Sequence, residues 1–392
     1  MNWLYYVVVK QHNIYHMGIK NFGKFVKCSP NCVKSVNYNQ FSGQTWAIDA
    51  SIFCHRFAHN SQAKRPNSHI DGFYQMFNRL LRFNIHPVMV FDGKTPIIKQ
   101  HTVDERTRIK QKNIEKAEKM RHELKDLVGF EIPVNDIKSI HDKIKGIDNE
   151  EEIKQKIESL TKAQKNIINF QPHTHDDIRN LCQLMNIPFY KANGEADALC
   201  AKLYKMGKVQ AIMSEDSDML LYGGGKLMRK IGWSNDFELL DMDILLAELG
   251  ITHEQFVDLA ILCGTDYTSS TIGGLGPVTA LQYIKEGKTI EDILSTIQTE
   301  GKHRVPTDGS FGYSEAREWI KSACASEPDV DVNVFKCSDI QGSQLKQLMT
   351  EKCRYKNDTI TKHLDILHKI YGVDAQTIVR PRIKVKLRTN RV

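Results

Sequence analysis

The stretch that most constrains this chain is Ala211 to Asp218, which reads Ala-Ile-Met-Ser-Glu-Asp-Ser-Asp. An apolar run, Val209 to Met213, follows Gly207 and ends in Glu215, Asp216 and Asp218. A short apolar run bounded in this way predicts a buried parallel strand. In open α/β sheets the ligand crevice lies outside the carboxyl ends of the strands. A bend after the strand could aim Asp216 and Asp218 at one point. Crowded carboxylates repel unless a cation lies among them, and hard oxygen donors suit Mg²⁺ or Mn²⁺. Taken alone, the stretch reads equally as a solvated acidic loop.

The pattern recurs. Trp46 to Asp49 and Val88 to Asp92 are apolar runs that end in Asp; Leu259 to Cys263 leads through Gly264 and Thr265 to Asp266. Glu195 and Asp197 open a segment with helical character. Three strand ends and two helix starts are thus expected to supply carboxylates, and together they describe a two-metal site. The expected fold is α/β, a central mostly parallel sheet flanked by helices.

The chain has 392 residues and a formal charge of +7, which fits a polyanion partner. Nine cysteines without a framework spacing read as free thiols in a reducing compartment. No apolar run is long enough to span a membrane, and no signal peptide is legible.

Residues 1 to 16 match nothing that follows, and Ile19, Phe22, Phe25 and Val26 then begin an amphipathic pattern. The apolar run Trp3 to Val9 suits neither a tail nor a membrane span, and translation from Met17 is the favoured explanation, a short surface strand the other. His12, His16, Cys28 and Cys32 have plausible zinc gaps, but the order is reversed and straddles a helix. Ser68 is expected to cap a helix through Ile70, Phe73, Phe77, Leu80 and Leu81. Residues 99 to 169 are dense in charge, with Lys99, Arg106, Arg108, Lys110, Lys112, Lys116 and Lys119 making the first part basic. Such a run is ordinarily a solvated helix face; its position between two site strands favours a lid or arch. Thr174 to Asp177 resembles a capping box, and Thr252 with Gln255 forms another for a helix over His253 to Cys263. Gly223 to Lys226 is read as a turn rather than a phosphate loop. Gly273 to Pro277 is a glycine hairpin opening a helix, either a phosphate grip or an ordinary helix–turn–helix. Residues 300 to 330 read as turns, followed by a helical tail with Leu345, Leu348, Ile360, Leu364, Leu367 and Ile370, then a basic end from Lys384 to Arg391.

From Met17 to about Tyr371 these motifs resemble the flap endonuclease superfamily of structure-specific 5′ nucleases: Met-Gly-Ile at 17–19, Ala-Ile-Asp-Ala-Ser at 47–51, Val-Phe-Asp-Gly-Lys at 90–94, Glu-Ala-Asp-Ala at 195–198, Glu-Asp-Ser-Asp at 215–218 and Gly-Thr-Asp-Tyr at 264–267. The resemblance implies a PIN-like nuclease core with a helical arch and a helix–hairpin–helix. It divides the chain into an extension at 1–16, nuclease regions at 17–98 and 170–300, an arch at 99–169 and a helical tail at 301–392. It implies that Asp49, Asp92, Glu195, Asp197, Asp216, Asp218 and Asp266 hold two Mg²⁺, with Mn²⁺ as a substitute, and that Lys99 and Arg106 are catalytic cations at the arch base. Gly18, His55, Gly274 and Gly276 would meet DNA, and the hairpin would take K⁺.

The implied reaction is hydrolysis of DNA 5′ flaps at single-strand/duplex junctions in replication or repair. The alternatives are a 5′→3′ duplex exonuclease and a non-catalytic nucleic-acid scaffold on the same fold. Asp197 and His55 match the exonuclease branch, and Val278 and Thr279 replace basic residues usual after the hairpin proline. The segment from Asn60 to Asn67 is short for a 3′-flap pocket, the arch is longer than usual, and no sliding-clamp box is convincing. This mosaic would suit a divergent, viral member, acting as a monomer in a nucleus or viral replication site.

Overall fold

The computed structural model describes residues 18–58, 66–132, 144, 149–165, 173–231, 235–301, 303–306, 311–333 and 335–372. The extension and Met17, most of the 60–67 segment, much of the 133–148 stretch of the insertion and the basic C-terminal end lie outside them.

Helix α1 (Phe22–Cys28) precedes strand β1 (Val33–Asn37) and β2 (Thr45–Asp49). Helices α2 (Ala50–Ala58) and α3 (Ser68–Arg82) lead to β3 (His86–Phe91). Helices α4 (Gln100–Val128), α5 (Glu150–Lys165) and α6 (Thr174–Leu184) precede β4 (Phe189–Lys191). Then come α7 (Ala196–Lys205), β5 (Ala211–Met213), β6 (Lys226–Arg229) and β7 (Asp236–Asp241). The rest is helical: α8 (Met242–Leu249), α9 (His253–Cys263), α10 (Pro277–Lys285), α11 (Ile290–Glu300), α12 (Tyr313–Ser326), α13 (Gly342–Cys353) and α14 (Asn357–Ile370).

The strands form one sheet in the order β1-β7-β6-β5-β2-β3-β4. Pairing is parallel from β6 through β5, β2 and β3 to β4, and antiparallel only where β7 meets β6 and β1. The alternation of a strand decides which layer each side chain enters. Ala47, Val90, Ile212 and Leu227 face a layer that includes residues of α7 through α12. Their neighbours Trp46, Ile48, Met89, Phe91, Ala211, Met213 and Met228 face α2, α3, α6, α13 and α14. Both faces are therefore covered, which is why these strands read as unbroken apolar runs.

The insertion has a small core of its own: Ala117 and Leu124 of α4 pack with Ile132, Ile144, and Ile153, Ile157 and Leu160 of α5. No helix among the described residues is long and apolar enough to cross a membrane, and all nine cysteines are free thiols.

Several local expectations are corrected. Helix α3 is preceded by Asn67, not capped by Ser68; Asn67 is left-handed (φ 51°), and its side chain donates to the Lys352 carbonyl at the end of α13 (2.7 Å). Thr174 caps nothing: it is buried inside the first turn of α6, and the Asp177 carboxylate is taken by His69 (3.0 Å). The capping box of Thr252 and Gln255 is present. Residues 313–326, expected as turns, are helix α12; its buried face is Ala316, Ile320 and Ala323, too small a stripe to stand out. The C-terminal helices are core rather than tail, since Leu345, Met349, Ile360 and Leu367 are fully buried among residues of α3 and α6. Buried Tyr355 donates to Asp71 of α3 (2.6 Å).

Leu345→Ala is accordingly expected to lower stability by about 2–5 kcal/mol, read from the urea midpoint, with a single cooperative transition. A separate early transition for α13 and α14 would contradict their place in the main core.

Candidate metal and phosphate site

Parallel strands present their carboxyl ends at one edge, and β2, β3 and β5 are adjacent there. Asp49 ends β2; its Oδ1 accepts from the Ser51 amide (3.0 Å) and its Oδ2 from the Ser214 hydroxyl (3.3 Å). Asp92 follows β3, with Oδ1 accepting from the Ala196 amide (2.8 Å) and Oδ2 from the Ser51 hydroxyl. After β5 the chain turns tightly: the Asp216 amide donates to Ser214 Oγ (3.1 Å) and the Asp218 amide to Asp216 Oδ1 (2.9 Å). Glu195 is the N-cap residue of α7 and Asp197 lies in its first turn, where the positive end of the helix dipole favours carboxylates. Asp266 lies in the loop after α9, beyond Gly264, which terminates that helix.

Two cations enter from the start of the insertion. Buried Lys99 places Nζ 2.6 Å from Glu195 Oε1 and 3.7 Å from Asp218 Oδ2, above the Tyr267 ring (4.4 Å). Burial alone would lower its pKa, but Glu195, Asp218, Asp266 and Asp197 outweigh it and the pKa is raised, so Lys99 is charged. Arg106 Nη2 lies 2.5 Å from Asp266 Oδ2. His101 bridges the Ile98 and Thr268 carbonyls (3.1 Å each), and the Thr102 hydroxyl donates to the Asp266 carbonyl (3.2 Å). The base of α4 is thereby latched to the Asp266 loop.

The carboxylates feel one another. Burial raises Asp49 from 3.8 to about 8, with Asp92 and Asp216 adding to it. Burial, then Asp216, raises Asp197 and Asp218 well above the usual range, and burial raises Asp216. Among the described residues, no three His, Cys, Asp or Glu side chains already surround one metal position; Lys99 stands between Glu195 and Asp218 instead. The donor chemistry nevertheless fits a hard divalent cation. Asp218 is fully buried, both its carboxylate oxygens lack a hydrogen-bond partner, and so does Asp197 Oδ1. Buried anionic oxygens without partners are costly unless a cation approaches.

Gly18 packs its backbone on the Asp216–Asp218 turn: φ is +84°, and a methyl group there would collide with the Asp216 carboxylate and the Ser217 hydroxyl. The Ile19 amide donates to Ser217 Oγ (3.0 Å). His55 is exposed on α2. Gly274 (φ +83°) and Gly276, the N-cap residue of α10, lie in the hairpin, which pairs through Gly273 with Arg304. Glu215 points elsewhere, to Arg56 (3.0 Å).

Several site residues escaped the sequence reading. Ser51 and Ser214 hold Asp92 and Asp49, and Tyr267 and Tyr222 donate to Glu195 Oε2 (2.7 and 3.1 Å). Ser51 and Tyr267 sit inside recognised motifs; Ser214 and Tyr222 carried no signal beyond proximity.

A raised carboxylate pKa means that the native chain binds more protons than the unfolded chain between the two values. Stability from such a group is present below the unfolded value and lost as pH rises through the folded one. For Asp49 this window runs from 3.8 to about 8. In EDTA, Asp218→Asn is expected to raise Tm relative to wild type at pH 8, with the difference shrinking toward pH 4. Mg²⁺ should raise the Tm of wild type at pH 8 and leave the variant largely unmoved. A variant less stable than wild type in EDTA at pH 8 would contradict this electrostatic assignment.

The XPG N-terminal domain profile matches residues 17–113 and the XPG I-region profile residues 186–266. Flap endonuclease 1 of Entamoeba histolytica is 31% identical over 380 residues, covering 92% of this chain and 90% of that protein. Flap endonuclease 1-A of Physcomitrium patens is 30% identical over 366 residues, covering 90% and 84%. Among solved structures, the catalytic core of Rad2 in complex with a DNA substrate superposes with a TM-score of 0.62 at 21% identity, covering 89% of this chain and all of that one. Flap endonuclease-1 from Methanococcus jannaschii gives 0.58 at 22% identity, covering 87% and 96%. These likenesses establish the PIN-like nuclease fold, and by its extended identity to the curated relatives this chain belongs to the flap endonuclease family.

Proposed function

We propose that the chain is a metal-dependent, structure-specific 5′ nuclease that hydrolyses DNA 5′ flaps at single-strand/duplex junctions, in replication or repair. The observation that carries this is the gathering of carboxylates at one sheet edge, with Glu195, Asp197, Asp216, Asp218 and Asp266 about Lys99, Arg106 on Asp266, and Asp49 and Asp92 beside Asp216 and Asp197. Relatives aligned along nearly the whole chain are named flap endonuclease 1.

The acids divide by what already engages them. Glu195 has one oxygen on Lys99 and the other on two tyrosines, while Asp92 has both on protein donors. Asp197, Asp216 and Asp218 keep the freest oxygens and are proposed as direct ligands of two Mg²⁺, or Mn²⁺ in their place; Asp49 and Glu195 would act through water. The bound ions would neutralise charge at the scissile phosphate and activate the attacking water. Lys99, a buried ammonium, meets a phosphate entering beside Asp218 without a hydration shell to shed, where its charge is worth more than in water. Arg106 carries a second positive charge at the mouth of the same edge. Were either cation to turn to the phosphate, the carboxylates it leaves, Glu195 and Asp218 for Lys99 and Asp266 for Arg106, would need the bound metal ions as their counter-charge.

The helical insertion is proposed to act as an arch over single-stranded 5′ DNA, with His55 and Gly18 beside the DNA path. The backbone amides of the hairpin at Gly274 and Gly276 would suit duplex phosphates, and its carbonyl oxygens would suit K⁺. A GEN-1 junction-resolving enzyme of the same fold is described binding potassium, and a GEN1 complex with product DNA contains Mg²⁺.

Asp216→Ala is expected to abolish cleavage of a 5′-labelled flap in Mg²⁺ while duplex affinity stays near wild type, because that affinity rests on phosphate contacts elsewhere. Lys99→Ala should lower kcat by about 100-fold with a smaller change in KM. Wild-type turnover in Asp216→Ala would overturn the site. Release of the intact flap, rather than mononucleotides from a blunt duplex, distinguishes the endonuclease from the exonuclease.

A further inference from the structure

The loop that delivers Glu195 is gripped on two sides. On one side the Gly93 amide donates to the Gly194 carbonyl (2.7 Å) and the Lys94 amide to the Asn193 carbonyl (3.0 Å), joining it to the loop after Asp92. On the other side lies Glu327, from the far end of the sequence and only 4% exposed. Its Oε2 accepts from the Asn193 amide (2.7 Å) and its Oε1 from the Gly194 amide (2.9 Å). The grip is itself braced: Asn193 Nδ2 donates to the Ser326 carbonyl (2.8 Å) and Lys202 Nζ to the Glu327 carbonyl (2.6 Å). A side chain at Gly93 would collide with the Ala192 and Asn193 carbonyls, so the two loops have no slack between them.

We infer that Glu327 is a positioning residue for the metal site, fixing through two consecutive backbone amides the loop that leads into Glu195 and the first turn of α7, which carries Asp197. The inference rests on the metal-dependent reading above. A carboxylate spanning two amides makes charge-assisted hydrogen bonds that neither a neutral nor a shorter side chain reproduces. The Ala196 amide in turn holds Asp92 (2.8 Å), so a displaced loop moves Asp92, Glu195 and Asp197 together. Glu327 touches no reacting atom, and its effect passes entirely through the backbone of residues 193 to 196.

The test uses the full chain with Glu327→Gln and Glu327→Asp. Gln keeps the volume but turns an NH₂ group toward one of the two amides; Asp keeps the charge on a shorter arm. Two Mg²⁺ titrations are read: the rise of Tm without DNA, and flap cleavage. Duplex affinity in EDTA is the control. In Glu327→Gln both Mg²⁺ midpoints should rise about 10-fold, turnover at saturating Mg²⁺ should largely recover, and duplex affinity should be unchanged, with Glu327→Asp intermediate. Wild-type midpoints in Glu327→Gln would overturn this inference alone. Equal loss of turnover and duplex affinity at every Mg²⁺ concentration would overturn it too, by showing a scaffold role. A wild-type chain whose Tm and cleavage ignore Mg²⁺ would overturn the metal reading and this inference with it.

Discussion

Burial of like charges at one sheet edge is the constraint on which the rest of this structure depends. Asp49 and Asp218 end or follow neighbouring strands and are almost without solvent. Such an arrangement costs folding free energy, since each charge is both desolvated and repelled. Four features offset that cost. Serine hydroxyls and backbone amides donate to Asp49 and Asp92. The N-terminus of α7 faces Glu195 and Asp197. Lys99 inserts an ammonium between Glu195 and Asp218, and Arg106 pairs with Asp266. What they leave over, at Asp197 and Asp218, is the affinity that a divalent cation can use. Buried carboxylate oxygens without hydrogen-bond donors are the kind of stability cost that functional sites retain.

The same economy explains why remote segments converge here. Gly18, near the start of the described chain, lies backbone-first on the Asp216–Asp218 turn, and Glu327, beyond α12, holds the Glu195 loop. The insertion contributes through Lys99, His101, Thr102 and Arg106 at its base, while farther out α4 and α5 pack chiefly on each other. Its outer part is therefore packed independently of the main core, whereas its base cannot move without moving the two cations.

The sheet was legible because both its faces are covered: runs such as Trp46 to Asp49 are apolar at every position and stop at an acid. The positions of Asp49, Asp92, Asp216 and Asp218 were legible for the same reason, since strand ends declare themselves by an abrupt change of polarity; Glu195 and Asp197 at a helix start and Asp266 after a helix were legible only from their own motifs. The caps expected at Ser68 and Thr174 were misjudged because such patterns recur where no cap forms: α3 begins after the left-handed Asn67, whose side chain is engaged by the Lys352 carbonyl, and the acid of the apparent box, Asp177, is engaged by His69. Helix α12 was missed because its buried stripe is mostly alanine. Tyr222 and Glu327 were invisible because a hydrogen bond across 27 or 134 positions leaves no local pattern.

The most direct test of the central claim is anomalous scattering from Mn²⁺ in crystals of the wild-type chain bound to flap DNA. The account expects two anomalous peaks about 4 Å apart, both within ligand distance of carboxylates drawn from Asp197, Asp216, Asp218 and their neighbours at the β2–β3–β5 edge. Mn²⁺ density elsewhere, or none at that edge with DNA in place, would contradict it.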